Sequence, residues 1–401
     1  MSKDKKPTLS GAEGLIPDLR FPEFENDGEW EKKYFEELFE IGNGRDYKHL
    51  GKGEIPVYGS GGYMLSVDDY LHDGESVCIG RKGTIDKPIF LTGKFWTVDT
   101  LFYTHSFKGC LPKYINYVFQ NINWLRHNEA GGVPSLSKTN IYKIETLTPS
   151  PQEQQKIASC LSSLDELIAA HQNRLEALKE HKKGLMQNLF PQEGEMVPKY
   201  RFSEFEDGGE WVEKSLGSLT DKIGDGIHTT PKYDQSGDYC FINGNNLIEG
   251  KIFVDEKTKR VSFAEFEKHK RDLTAKTIFL SINGTIGNVA LYNYEKVVLG
   301  KSACYITPNE ELNNVFLYYS LQSPKISNYF FSELTGSTIK NLSIRTIRNT
   351  AFSLPSEKEQ KKIASCLSAV DELITAQTEK IEQLQQHKKG LMQGLFPNVK
   401  D

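Results

Sequence analysis

The sequence predicts an α+β protein. Two mixed α/β domains are separated by two long α-helices that pair as an antiparallel coiled coil, and an internal pseudo-two-fold repeat relates the halves. Three observations carry this. A 43-residue segment occurs twice, Pro149–Pro191 and Pro355–Pro397, with 28 identical positions and no gap. Each copy holds apolar residues at 4-3-4 spacing, the mark of a helical seam. Between the copies lie short β-branched and aromatic runs broken by glycine, the mark of strands with tight turns.

Taken along the chain, the organisation is a first domain at 1–148 with a leader at 1–40, a first arm at 149–191, a second domain at 192–354 with a leader at 192–216, and a second arm at 355–401. The leaders repeat as well. Pro17-Asp-Leu-Arg-Phe-Pro-Glu-Phe-Glu running to Trp30 matches Pro198-Lys-Tyr-Arg-Phe-Ser-Glu-Phe-Glu running to Trp211. Strands are expected at Ile55–Tyr58, Ser76–Ile79, Pro88–Leu91, Tyr239–Ile242, Thr277–Ile282 and Val297–Leu299, and helices at Pro112–Arg126 and Asn313–Gln322. The two domains share little sequence, but Gly80-Arg-Lys-Gly-Thr-Ile85 corresponds to Ser281-Ile-Asn-Gly-Thr-Ile286.

In the first arm the seam is Ile157, Leu161, Leu164, Ile168, Leu175, Leu178, Leu185 and Leu189, with His171 and Lys182 at the skipped positions. In the second it is Ile363, Leu367, Val370, Ile374, Ile381, Leu384, Leu391 and Leu395, with Gln377 and Lys388 in the gaps. Leu-Phe-Pro closes each arm, because proline cannot continue a helix. A helix from Gln152 to Phe190 spans about 58 Å at about 1.5 Å per residue. A helix of that length is not stable alone, so each seam needs a partner, and the other arm is the nearest one. An antiparallel pair would set the two domains at opposite ends of a rod.

Composition narrows the function. Of 401 residues, 38% are hydrophobic and 26% charged, which suits a globular protein. No apolar run reaches the length of a membrane helix and no signal core follows Met1, so a cytoplasmic protein is expected. The six cysteines are far apart with no Cys-x-x-Cys pair, which argues against a zinc ribbon or a disulfide framework. Net charge is −5, but the excess acid sits in the leaders: 6 basic and 11 acidic residues in 1–40, 3 and 7 in 192–216. Segments 41–148 and 217–354 each carry +2, from 12 against 10 and 16 against 14. That balance permits a nucleic-acid contact without demanding one.

Catalytic signatures are missing. There is no phosphate-cradling Gly-x-x-x-x-Gly-Lys-Ser/Thr loop, no Asn/Asp-Pro-Pro-aromatic run for amino methylation, and no His-x-x-x-His or His-Glu pair for a metal. Gly59-Ser-Gly-Gly62 lacks dinucleotide-site spacing and reads as a tight turn or a loop that approaches phosphate.

Two like arms carrying two unlike domains suggest one scaffold presenting two readers. The chain resembles the specificity subunit of a type I DNA restriction–modification complex. The motifs are Glu153-Gln-Gln-Lys-Ile-Ala158 and Glu359-Gln-Lys-Lys-Ile-Ala364 at the arm entries, the Lys-Lys-Gly-Leu-Met-Gln exits, Val57-Tyr-Gly-Ser-Gly-Gly62, and Gly224-Asp-Gly-Ile-His-Thr-Thr-Pro231. The resemblance covers essentially the whole chain. It implies two target-recognition domains, each reading one half of a bipartite double-stranded DNA site, and arms that set the gap and dock two methyltransferase subunits. Restriction subunits with motor and nuclease would join that core. It implies no cofactor on this chain, with S-adenosylmethionine, ATP and Mg on the partners, and no catalysis or metal here.

Polar and basic side chains on Gly-rich loops are the DNA-binding candidates, since Arg and Lys suit guanine edges and Asn and Gln suit adenine edges. They are Ser60, Gly61, Gly62, Tyr63, Arg81, Lys82, Thr84 and Lys138 in the first domain. In the second they are His228, Thr229, Thr230, Lys232, Tyr233, Asn243, Asn245, Asn246, Asn283, Thr285, Ser337, Thr338, Lys340 and Arg345. The acidic leaders are expected to pack on the far arm end or on a methyltransferase, so that deleting residues 1–30 would weaken assembly first. A related system with a fused methylase–nuclease partner, and a coiled-coil scaffold binding protein, are the alternatives.

Overall fold

The computed structural model describes residues 15–335 and 340–397. It divides into two compact units, Met1–Asn173 with Glu379–Asp401, and Arg174–Thr378. Both boundaries fall inside long helices, Pro151–Asn188 and Glu357–Leu395. Each unit therefore combines one globular segment with part of both helices.

In the first unit, a four-stranded antiparallel sheet runs Glu40–Asn43, Leu101–His105, Ser76–Gly80, Ile89–Leu91. All five residues of Ser76–Gly80 are buried, as suits a β-branched run covered on both faces. A second sheet runs Gly62–Val67, Lys52–Gly59, Lys94–Thr97, His72–Asp73, and its pairing of Val57 with Trp96 is parallel. The helix Pro112–Asn121 covers the first sheet and starts on a proline, whose missing N–H costs nothing there.

The second unit repeats the plan. Its main sheet runs Thr220–Asp225, Ala303–Pro308, Ile278–Ser281, Val289–Leu291, and its second runs Arg260–Val261, Tyr239–Ile242, Val297–Leu299. Here too one pair is parallel, Cys240 with Val297. The expected helix at Asn313–Gln322 is Asn314–Ser320, capped by the Asn313 side chain accepting from the Phe316 N–H.

The helices enter the cores. In the first unit Ile157, Ala158 and Leu161 from the start of one helix share a cluster with Met392, Leu395 and Phe396 from the end of the other. Trp30, Phe35, Tyr114 and Phe119 complete it. In the second, Leu189 and Phe190 share a cluster with Ile363, Ala364, Leu367, Trp211 and Phe316. Within each unit, then, the beginning of one helix meets the end of the other, which is the antiparallel sense.

Polar residues at skipped seam positions are keyed to that sense. Lys388 Nζ lies 2.6 Å from Asp165 Oδ1, and the Tyr117 hydroxyl donates to Asp165 Oδ2 at 2.9 Å. In the second unit Lys182 pairs with Asp371 at 2.7 Å and Tyr319 donates to Asp371 at 2.8 Å. Burial and the adjacent carboxylate both push the two phenols up, so they remain donors. A lone polar group at a seam position costs stability but penalises shifted registers more.

The leaders are part of the fold. The Leu19 N–H donates to the Gly394 carbonyl at 2.8 Å, so the first leader does pack on the end of the second helix. Arg20 forks onto Glu153 with two 2.8 Å bonds, and Arg201 forks onto Glu359 in the same way. Trp30 is 3% exposed and Trp211 2%. Removing residues 1–30 would also strip Trp30 from a core and Arg20 from its pair with Glu153.

Glu153 is 1% exposed, so losing Arg20 leaves a buried carboxylate unpaired. Arg20→Ala should cost about 3–5 kcal/mol in chemical denaturation. Arg20→Met with Glu153→Met should recover most of it.

Candidate nucleic-acid interface

The first unit carries a groove of about 570 Å³ lined by Asp46–Lys48, Gly59–Met64 and Val98–Thr100. Three chain segments build it. The strand Glu40–Asn43 ends at Gly44, where the backbone runs against the Val98 turn: a Cβ on Gly44 would sit 1.9 Å from the Val98 oxygen. The Gly44 N–H donates to Leu101 and the Arg45 N–H to Thr97. The hairpin tip Gly59–Gly62 stands beside this turn, and the Val98 N–H donates to Tyr58. The Arg81–Thr84 loop joins from the other side, with the Arg81 N–H donating to Thr100. A Cβ on Gly83 would lie 3.3 Å from Ser60 Oγ, which places the two glycine loops together.

The second unit builds the same frame bond for bond. The Gly226 N–H donates to Ala303, Ile227 to Leu299, Gly300 to Ile242 and Ile282 to Ser302. A Cβ on Gly226 would sit 2.1 Å from the Leu299 oxygen. The outer bonds agree as well: Leu136 N–H to Arg81 in one unit, Leu342 N–H to Ile282 in the other. These pairings make Asp46 equivalent to His228, Ser60 to Gly244, Lys82 to Asn283, and Asp99 to Lys301.

The sequence candidates fall into three groups. Ser60, Gly61, Gly62, Tyr63, Arg81, Lys82 and Thr84 are gathered around the first groove, with Tyr63 63% exposed. His228, Thr229, Thr230, Asn245, Asn283 and Thr285 lie on the equivalent segments of the second unit, and all are exposed but Asn283, which is half-buried. Lys232 and Tyr233 follow on, with Lys259 Nζ 4.4 Å from the Tyr233 ring centroid. Lys340 and Arg345 are exposed near the bridge that pairs Asn283 with Asn341. Ser337 and Thr338 lie outside the described residues.

Three candidates have their polar groups committed to the fold. Lys138 Nζ donates to the Ile41 carbonyl at 2.5 Å, and burial draws its pKa down. The Asn243 side chain accepts from Ser302 Oγ at 2.9 Å. Asn246 accepts from the Asn243 N–H and donates to Phe253, closing a turn. These three side chains hold loops in place, and all are half-buried.

Sequence reasoning missed Arg45, Asp46, Lys48, Asp99 and Lys301, all exposed on the same frame. The glycine after a strand was the available signal, since Gly44 repeats the role of Gly226.

Electrostatically the two loop clusters differ. The first mixes Arg45, Lys48, Arg81 and Lys82 with Asp46 and Asp99. In the second, Asp225 Oδ2 lies 2.7 Å from His228 Nε2, and Lys232, Lys301, Lys340 and Arg345 are exposed cations. Glu265 anchors this loop by accepting from the Lys232 N–H at 3.1 Å. Hydrogen bonds from the Lys268 side chain and that N–H hold its carboxyl down at about 2. Among the described residues no group of three or more His, Cys, Asp or Glu is placed to hold a metal, and no helix is long and apolar enough to cross a membrane.

The family model of the type I restriction modification DNA specificity domain matches residues 27–180 and again 208–386. The chain is 26% identical over 349 residues to a Methanocaldococcus jannaschii protein designated the MjaX type I restriction enzyme specificity subunit, covering 82% of this chain and 78% of that one. It is 25% identical over 345 residues to the MjaVIII specificity subunit of the same organism, covering 82% and 77%. Among solved structures, the S subunit of a type I restriction–modification system from M. genitalium superposes with a TM-score of 0.64 over 96% of this chain and 100% of that one. Its identity is 16%, so it speaks for the fold alone.

The depressed pKa of Glu265 sets a pH window. Anchoring is fully present above the ordinary carboxyl value of 4.5 and is lost as pH falls toward about 2. Glu265→Gln should speed hydrogen exchange at the Lys232 amide at pH 7, with the amides of Ile278–Ser281 unchanged.

Proposed function

The chain belongs to the type I restriction–modification DNA specificity family, and from that premise we propose that each compact unit reads one half of a bipartite, asymmetric site in double-stranded DNA. The two long helices set the gap between half-sites and dock two methyltransferase subunits. Restriction subunits join that core. This chain positions and selects and performs no chemistry; S-adenosylmethionine, ATP and Mg act on the partners.

One observation carries the reading: two loop clusters share a backbone frame hydrogen bond for hydrogen bond, yet present different side chains. A frame repeated with its polar residues exchanged is what two readers of unlike sequences require. Joining them converts two modest half-site affinities into one intramolecular event. It also fixes half-site spacing, as dimer geometry does for palindromic readers. The docking role is supported by Leu167 and Leu373, which occupy the same repeat position on the two helices and are 44% and 50% exposed. Large apolar side chains in water at matched positions suit two copies of one partner.

Exchanging residues 217–354 for the matching segment of a relative should change one half of the target and leave the other and the gap intact. The readout is the sequence bound by the assembled complex; a change in both halves would contradict the reading. Binding should also weaken steeply with salt as counterions return to the phosphates. A protein-binding scaffold would show no salt-dependent DNA affinity at all.

A further inference from the structure

The equivalent turns Val98–Leu101 and Gly300–Ala303 hold their place by the same bonds. Leu101 N–H donates to Val98 and Ala303 N–H to Gly300, while Val98 and Gly300 donate to Tyr58 and Ile242. The second residue of each turn is exposed, and its charge is reversed: Asp99 in one unit, Lys301 in the other. Among the described residues neither side chain forms an ion pair. The Asp99 backbone carbonyl accepts from Arg81 at 3.4 Å, but among the described residues its carboxylate has no partner, and neither does the Lys301 ammonium. The neighbouring equivalent position differs in the same direction, Asp46 against His228.

A cation at this place needs no special cause if DNA lies across it. A carboxylate does, because phosphate repels it. A base edge resolves the conflict. In the major groove, carboxylates accept from the exocyclic amino group of cytosine, whereas lysine donates to guanine O6 and N7. The Asp99 carboxylate, without a partner among the described residues, is an acceptor open to such an amino group.

Resting on the two-reader function above, we propose that Asp99 and Lys301 are paired specificity-determining residues. Asp99 accepts a hydrogen bond from a cytosine amino group in the first half-site. Lys301 donates to a guanine at the corresponding place in the second half-site. The two halves thus use one backbone position to read opposite hydrogen-bonding characters.

The test selects bound duplexes from a randomised library with the assembled specificity–methyltransferase complex, for the wild type and for Asp99→Ala, Asp99→Lys and Lys301→Ala. The wild type must first yield a bipartite site; if it does not, the two-reader function fails and not only this assignment. Given that site, Asp99→Ala should lower discrimination at one cytosine of the first half-site by roughly tenfold, within the range of a good base contact. The second half-site should be unchanged. Asp99→Lys should turn the preference there toward guanine, and Lys301→Ala should relax one guanine of the second half-site. The proposal is overturned if Asp99→Ala retains the same site while binding all duplexes more tightly, as removal of a surface charge would. It is also overturned if a single substitution relaxes both half-sites.

Discussion

Everything in the molecule depends on burying the ends of two long helices in two separate cores. Neither helix is apolar enough around its circumference to stand alone, and a single seam cannot stabilise it in water. The solution is to make the first turns of one helix and the last turns of the other a wall of each core. Ile157 and Leu161 pack with Leu395 and Phe396 beneath Trp30, and Ile363 and Leu367 pack with Leu189 and Phe190 beneath Trp211. The Arg20–Glu153 and Arg201–Glu359 forks then fasten each leader to a helix entry. The loop clusters inherit their rigidity from this, since the strands that carry them belong to the same cores.

That constraint also accounts for the distribution of sameness along the chain. A residue in a helix end must satisfy a core, a partner helix and a leader together, so the repeat stays close to identical there. Loop tips satisfy only the backbone frame. Gly44 and Gly226 are held by the lack of room beside Val98 and Leu299, whereas the next exposed positions are unconstrained and have diverged to Asp46 and His228. Divergence thus gathers where a ligand would be read.

Much of this was legible in the sequence, and the failures have a common cause. The helices and the strands rest on short-range periodicity, their sense of pairing on the order of domains and arms, and the skipped seam positions pointed to Lys182 and Lys388. The phenols that share their carboxylates, Tyr117 and Tyr319, come from other helices and left no local sign. Lys138 looked like a free cation because its acceptor, Ile41, lies 97 residues upstream. The turn that Asn243 and Asn246 close left no mark in the sequence. Asp46 and Asp99 left no local sign: the Gly44 and Arg45 bonds to Leu101 and Thr97, and the parallel pairing of Val57 with Trp96, bring them to the glycine loops.

The central claim is that one duplicated frame presents two different readers of DNA. It is tested most directly by mapping the modified bases in DNA from cells that carry this protein with its modification partners. The account predicts two unlike half-sites separated by a gap of fixed length and unrestricted sequence. A contiguous site, or two identical inverted halves, would contradict it.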